Sequence, residues 1–346
     1  MKLLLSFLSK SLPLVGVLAC SVADGSPQGG QAAADPDSFV AGDSLQIMED
    51  LQVLSHDSLE GRRTGSPGGV LAQVYIRAGF EAAGLDAPPS GFIQPFEFRG
   101  RRDTTQVTLG ANVVGVVPGQ DPEMGAIVLS AHFDHLGIRA PRPGTAAEAE
   151  GDSIYNGADD NASGTVAVMA LARYFVQNPP RHTIVFAAVD AEEMGMGGSN
   201  AFVDAGWPEK MVLNVNLDML ARSDSLLFAA GPFHYPQLLP ILETVQGRSP
   251  VVLRFGHDQP GVEGMQNWTN SSDHRPFHAK GIPFVYFGVE DHPDYHRASD
   301  EFEKVDPGFY LNSIRTVLAA VLALDNGFGE ADAGEESDPG GRPSPN

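Results

Sequence analysis

Imidazole and carboxylate side chains recur in this sequence just where short apolar runs stop. His132 and Asp134 follow the run at 126–130, and Glu192 and Glu193 follow the run at 183–189. Asp218 follows 212–217, His292 and His296 lie beyond 283–287, and Asp159 and Asp160 precede a helical pattern. These are donor groups for zinc and for harder divalent ions. Each segment alone has a plainer reading. H-x-D is a satisfied polar pair, the glutamate pair compensates a helix dipole, and Asp-Asp-Asn caps a helix. Taken together they place many like charges side by side, and carboxylates packed that closely repel unless cations compensate. The one cysteine, Cys20, rules out an intrachain disulfide and a thiolate metal site, so His, Asp and Glu must hold any metal.

The elements that must position these groups follow from periodicity. Alternating or β-branched runs predict strands at 92–98, 106–109, 112–117, 126–130, 183–189, 212–217 and 283–287. Helical spacing predicts helices at 44–54, 70–83, 161–177, 195–205 and 310–324. Strands alternating with helices imply an α/β fold, a mainly parallel mixed sheet with helices on both faces. The candidate ligands fall past the carboxyl ends of its strands, the edge where open α/β sheets bind ligands.

The 346 residues carry a formal net charge of −22, which disfavours nucleic acid as a partner because phosphate binding needs clustered Lys and Arg. Hydrophobic content of 42% is enough for a full core. Residues 1–20 have a basic start and a short apolar run, too short to span a bilayer, and read as an export signal. Its end, Val17-Leu18-Ala19-Cys20, resembles a bacterial lipobox, with Cys20 as the lipidated residue. The expectation is an exported cell-envelope lipoprotein that contacts membrane only through its anchor. Residues 21–42 read as a flexible tether, 43–327 as one domain, and 328–346 as a disordered acidic tail.

Six segments in order, AHFDHLG (131–137), NGADDNASG (156–164), VDAEEMGMGGS (189–199), NLDML (216–220), SSDHRPFHAKGIP (271–283) and HPDYHRASD (292–300), resemble the co-catalytic zinc aminopeptidases, the family that includes bacterial leucyl aminopeptidases and glutamate carboxypeptidase II. LEGRRTGSPG (59–68) is similar to its N-terminal part. The resemblance implies the phosphorylase/hydrolase-like fold, two Zn2+ ions and peptide substrates. It implies His132 and Asp218 on one ion, Glu193 and His296 on the other, and Asp160 bridging. Asp160 rather than Asp159 takes that role because it stands four residues before Gly164. Asp134 would accept the second imidazole N–H of His132. Glu192, without a ligand role, would be the general base toward a hydroxide held between the ions.

Other residues take cooler readings. His135 lies on the opposite face of an extended chain from Asp134. Asp273 would hold a ligand or substrate, His292 would line the cleft or make a loop hydrogen bond, and Asp300 would orient the His296 loop. Trp268, Tyr286 and Phe287 are expected to pack in the core first and to line a pocket second. Residues 266–270 hold no tyrosine to serve as oxyanion donor. Two rival functions share much of this pattern. A single-zinc glutaminyl cyclase would need only Asp160, Glu193 and His296, and a non-catalytic peptide-binding lipoprotein would not need Glu192.

Overall fold

A computed structural model describes residues 35–99, 105–140 and 151–329. The leader, the lipobox cysteine Cys20, most of the tether, the insertion at 141–150 and most of the acidic tail lie outside them. Eight strands form one sheet: β1 (Ile93–Phe98), β2 (Thr108–Val117), β3 (Ala126–His132), β6 (Thr183–Val189), β7 (Met211–Leu217), β8 (Leu226–Ala230), β9 (Val252–Phe255) and β10 (Phe284–Gly288). Two short strands, β4 (Gly137–Ile138) and β5 (Ile154–Tyr155), pair separately. The sheet order is β1-β2-β6-β3-β7-β10-β8-β9. Its centre, β6-β3-β7-β10, is parallel. Antiparallel pairs β2–β6 and β10–β8 continue it on either side.

Period-2 alternation along the central strands builds two cores. Ile127, Leu129 and Ala131 of β3, with Ile184, Phe186 and Ala188 of β6, face the larger one. Helices α1 (Pro36–Leu54), α2 (Pro67–Ala83), α3 (Gly164–Gln177) and α7 (Pro307–Gly327) cover that face. Val128, Val185, Ala187 and Val189 point the other way, against α4 (Gly197–Asp204) and α6 (Arg275–Ala279). On this second face Ser130 donates to Asn216 Oδ1 at 2.8 Å, and Asn216 Nδ2 donates to Ser272 at 2.8 Å. That chain of buried polar contacts pins the segment bearing Asp273 to the sheet.

Several boundaries differ from the sequence expectation. The tether expected through residue 42 stops early, because α1 starts at Pro36. Asp35 accepts the N–H of Ser38, Pro occupies the first turn, and Val40 is buried. The strands expected at 106–109 and 112–117 are one strand, β2. Gly110 interrupts the alternation only because the Phe96 ring of β1 occupies the space of a side chain there. The helix expected from 161 begins at Gly164. A wide turn, Ala158–Ser163, precedes it, with Asp160 (φ −103°, ψ 95°) and Asn161 (φ −133°, ψ 46°) outside helical geometry. The short strands β8 and β9, with α5 (Leu239–Gln246) and α6, carry too few residues for periodicity to find.

Candidate metal centre and catalytic cavity

His132 ends β3, and its Nδ1 lies 3.1 Å from the main-chain carbonyl of Asp134. A carbonyl only accepts, so Nδ1 carries the ring proton and Nε2 is left with a free lone pair. Nε2 faces Asp160 Oδ1 at 3.5 Å and Asp218 Oδ1 at 3.4 Å. Asp218 stands just past β7 and Asp160 sits in the turn before α3. The other oxygen of Asp160 belongs to a second cluster. Oδ2 is 3.0 Å from His296 Nε2, which is itself 3.3 Å from Glu193 Oε1. Asp160 thus turns one oxygen to each of two groups of donors, as a bridging carboxylate must.

These atoms are short of partners. Asp160 Oδ2, Glu193 Oε1 and Asp218 Oδ1 are buried and make no hydrogen bond. Such atoms are costly unless something compensates them. In the protein alone, protons on imidazole supply part of that charge. Burial lowers the pKa of His296, but Asp160 and Glu193 outweigh it and push the ring up to about 10. Burial likewise raises Glu193, yet His135 and His296 hold it below the usual carboxylate range. An all-N/O donor set of this kind suits zinc, and two groups of donor atoms lie close enough together to hold a divalent cation, His132–Asp160–Asp218 and His135–Asp160–Glu193.

The loops bearing the donors are fixed from behind. Asp300 accepts the main-chain N–H groups of Asp159 and Asp160 at 3.1 Å each, so it holds the turn that bears Asp160, where the sequence expectation was the His296 loop. His292 does not line the cavity, since its Nε2 is 3.2 Å from Asp159 Oδ2. Asn161 accepts the N–H of Gly164 and of Met219 and donates to Leu217, tying the Asp160 turn to the end of β7. Asp134 supports His132 through its carbonyl, with its carboxylate 3.9 Å away. That carboxylate instead accepts the N–H of Glu192 at 2.9 Å. Asp273 is fully buried and is not among the residues that line the cavity.

Two contributors, Arg62 and Asp190, escaped the sequence reading, which sets a third, His135, on the opposite face from Asp134. Arg62, 1% exposed, donates to the carbonyls of Phe133 (2.8 Å), Asn156 (2.5 Å), Gly157 (2.9 Å) and Leu54. Burial lowers its pKa to about 10, with Asp160, Asp300 and Asp134 opposing, so it stays a cation beneath the carboxylates. Asp190 accepts from Thr64, Ala111 and Ala191 and locks the turn that presents the glutamate pair. His135 faces Glu193 and Asp160, because the chain turns after His132 instead of staying extended. The segment 59–68 was the available signal for Arg62, but nothing in it separates Arg62 from its exposed neighbour Arg63.

His132, Asp160, Asp218 and His296 line a cavity of about 170 Å³. Glu192 reaches into it and, among the described residues, enters no ion pair. Burial raises the Glu192 carboxyl well above its ordinary value, His132 opposes this, and Asp273, Glu193 and Asp218 add to the rise. Trp268, Tyr286, Tyr295, Met219 and Val289 make the walls, while Phe287 packs in the larger core. Trp268 is backed by His257, stacked at 3.5 Å between centroids. Among the described residues no Lys or Arg lines the cavity, and Asp291 stands at its rim.

The sequence profile of peptidase family M28 matches residues 112–321. Aminopeptidase YwaD of Bacillus subtilis is 31% identical over 178 residues, 48% of this chain and 37% of that protein. The chain spans half or less of the length of the curated relatives it matches. The structure of BSAP, a zinc aminopeptidase from Bacillus subtilis, aligns with a TM-score of 0.62 at 18% identity, covering 80% of this chain and 94% of that one. Fimbriiglobus ruber glutaminyl cyclase aligns with a TM-score of 0.60 at 20% identity, covering 87% and 99%. At such identities these two structures share the fold alone, and that fold carries both chemistries.

Proposed function

We propose, from the premise that this chain belongs to peptidase family M28, that it is a two-zinc aminopeptidase. The carrying observation is the divided aim of Asp160, one oxygen toward His132 and Asp218 and the other toward Glu193 and His296. His132 with Asp218 would hold one ion and Glu193 with His296 the other. A single-zinc cyclase has no use for the first pair. Bound there, two divalent ions supply Lewis acidity, lowering the pKa of a water and polarising a peptide carbonyl.

The chain's own residues do the rest. The aromatic walls hold the first side chain of the peptide. Asp291, which lines the cavity without a ligand role, attracts the free α-amine. Glu192, kept out of ion pairs, takes a proton from the attacking water and returns it to the leaving amine. A carboxyl with a raised pKa suits that return step. The lining also chooses between chain ends. A carboxypeptidase must hold a terminal carboxylate, and among the described residues no Lys or Arg lines the cavity to hold one. Intact Glu192 speaks against a pure binding protein.

The test is hydrolysis of aminoacyl p-nitroanilides, abolished by chelation and restored by zinc. Peptides acetylated at the N-terminus should resist cleavage. Release of C-terminal residues from such blocked peptides would defeat the assignment, as would cyclisation of glutaminyl peptides without any hydrolysis.

A further inference from the structure

One histidine beyond the five donors is buried inside the same cluster. His135 is 1% exposed, and its ring is pressed so closely on Gly157 that a Cβ there would come within 2.6 Å of ring carbons. Its Nδ1 is 2.8 Å from Glu193 Oε1 and 3.7 Å from Asp160 Oδ2. Yet Nδ1, Glu193 Oε1 and Asp160 Oδ2 all lack a hydrogen bond, so the close approach is too oblique to be one. Leaving buried polar atoms unpaired costs about 1–3 kcal/mol each. Atoms that converge without bonding to one another are arranged to share a third body.

The spacing identifies that body. Zinc binds nitrogen and oxygen at about 2.0–2.2 Å, which puts tetrahedral ligand atoms roughly 3.3 Å apart. His135 Nδ1 lies 2.8 and 3.7 Å from Glu193 Oε1 and Asp160 Oδ2, His296 Nε2 lies 3.3 and 3.0 Å from the same two oxygens, and the two imidazole rings are 5.8 Å apart between centroids. We infer that His135 Nδ1 is a fourth protein donor to the cation held by Asp160, Glu193 and His296, an inference that rests on the two-cation reading. The two clusters then differ in kind. Three protein donors leave the open position of catalytic zinc, whereas an ion with four meets water or substrate only by expanding to five ligands, as catalytic zinc can. The ion beside Glu193 fills first and leaves last. The ion of His132 and Asp218 keeps its vacancy toward the cavity and Glu192.

Crystals of the zinc-loaded protein, with anomalous diffraction at the zinc edge, test the ligand directly. An ion about 2.0–2.1 Å from His135 Nδ1 supports the inference. An ion on Glu193 with His135 Nδ1 beyond about 3 Å overturns it and leaves His135 a positioning residue. Zinc titration of the stripped protein against a chromophoric chelator should find two unequal sites. His135→Asn keeps an N–H near the position of Nδ1 but not imidazole's metal affinity. It should weaken the tighter site by at least about 100-fold and leave the other within about threefold. Unchanged binding of both ions by His135→Asn overturns the proposal, and the wild-type crystals decide if that variant fails to fold. Wild-type protein that takes up no divalent ion would sink the two-cation reading itself. Two ions bound away from His135 would sink only this inference.

Discussion

Glu192 and Glu193 are adjacent in the chain but sit in opposite fields. Burial raises both carboxyls. At Glu193 the imidazoles of His135 and His296 more than cancel the rise, while at Glu192 burial prevails over His132, and Asp273, Glu193 and Asp218 add to the rise. The ligand and base roles proposed for them rest on what surrounds each side chain. Glu192→Gln should keep both metals by elemental analysis and lose at least about 100-fold in kcat; near-normal turnover would remove Glu192 from the mechanism. Arg62 invites a different measurement. Arg62→Met leaves the carbonyls of Leu54, Phe133, Asn156 and Gly157 without their donor. Urea unfolding should show a loss of about 3 kcal/mol or more, and a loss below 1 kcal/mol on the same scale would mean that water replaces the guanidinium. At this scale the doublets were legible in sequence and His135 was not. Strand alternation cannot be continued past the last hydrogen-bonded residue of β3.

The elements bring the donors together by close approach. Gly164 opens α3 so near the end of β7 that a Cβ would lie 2.4 Å from the carbonyl of Leu217 and 2.4 Å from Asn161 Oδ1. Gly164→Ala must push the Asp160 turn away from Asp218. It should cost about 1–3 kcal/mol by thermal unfolding and should lower zinc content more than a surface Gly→Ala does. Positive φ at Ala191 (63°), Met219 (62°) and His296 (56°) shows that the ligand-bearing turns hold backbone geometry that non-glycine residues rarely adopt. The loop after His296 also has a pH response. Burial pushes the Glu301 carboxyl up to about 8; a hydrogen bond from Asn156 opposes this, and Asp152 and Asp57 add to the rise. The ordinary value is 4.5, so the folded state holds a proton that the unfolded chain has released. Stability from this group is full below about 4.5, falls as pH climbs toward about 8, and is flat beyond. Glu301→Gln should flatten the decline in Tm between about pH 5 and about pH 9; an unchanged slope would place the titration elsewhere. Sequence periodicity found the long elements here and missed the irregular turn at 158–163, whose shape depends on its hydrogen bonds to Asp300 and the end of β7 rather than on local propensity.

At the scale of the whole molecule, carboxylates from three strand ends and two loops meet at one edge of the sheet in a chain that already carries a net charge of −22. Cations that bind only the folded state should stabilise it by mass action. Chelation should lower Tm, and zinc at 100 times its dissociation constant should restore about 2.7 kcal/mol. A Tm indifferent to both would argue that the cluster is neutralised by protons alone. The sequence by itself determined the α/β alternation, the placing of His, Asp and Glu past strand ends, and the exclusion of thiolate ligands, because side-chain chemistry and local periodicity are properties of the chain. Only the tertiary structure decided that Asp160 splits its oxygens between two clusters, that His135 joins one of them and His292 does not, and that Asp300 and Arg62 hold the frame. Those assignments depend on tertiary contacts, among them Arg62 to Phe133 and Gly157 and Asp160 to Asp300, which are 71, 95 and 140 residues apart in sequence, and no local pattern records the turn that brings each pair within reach.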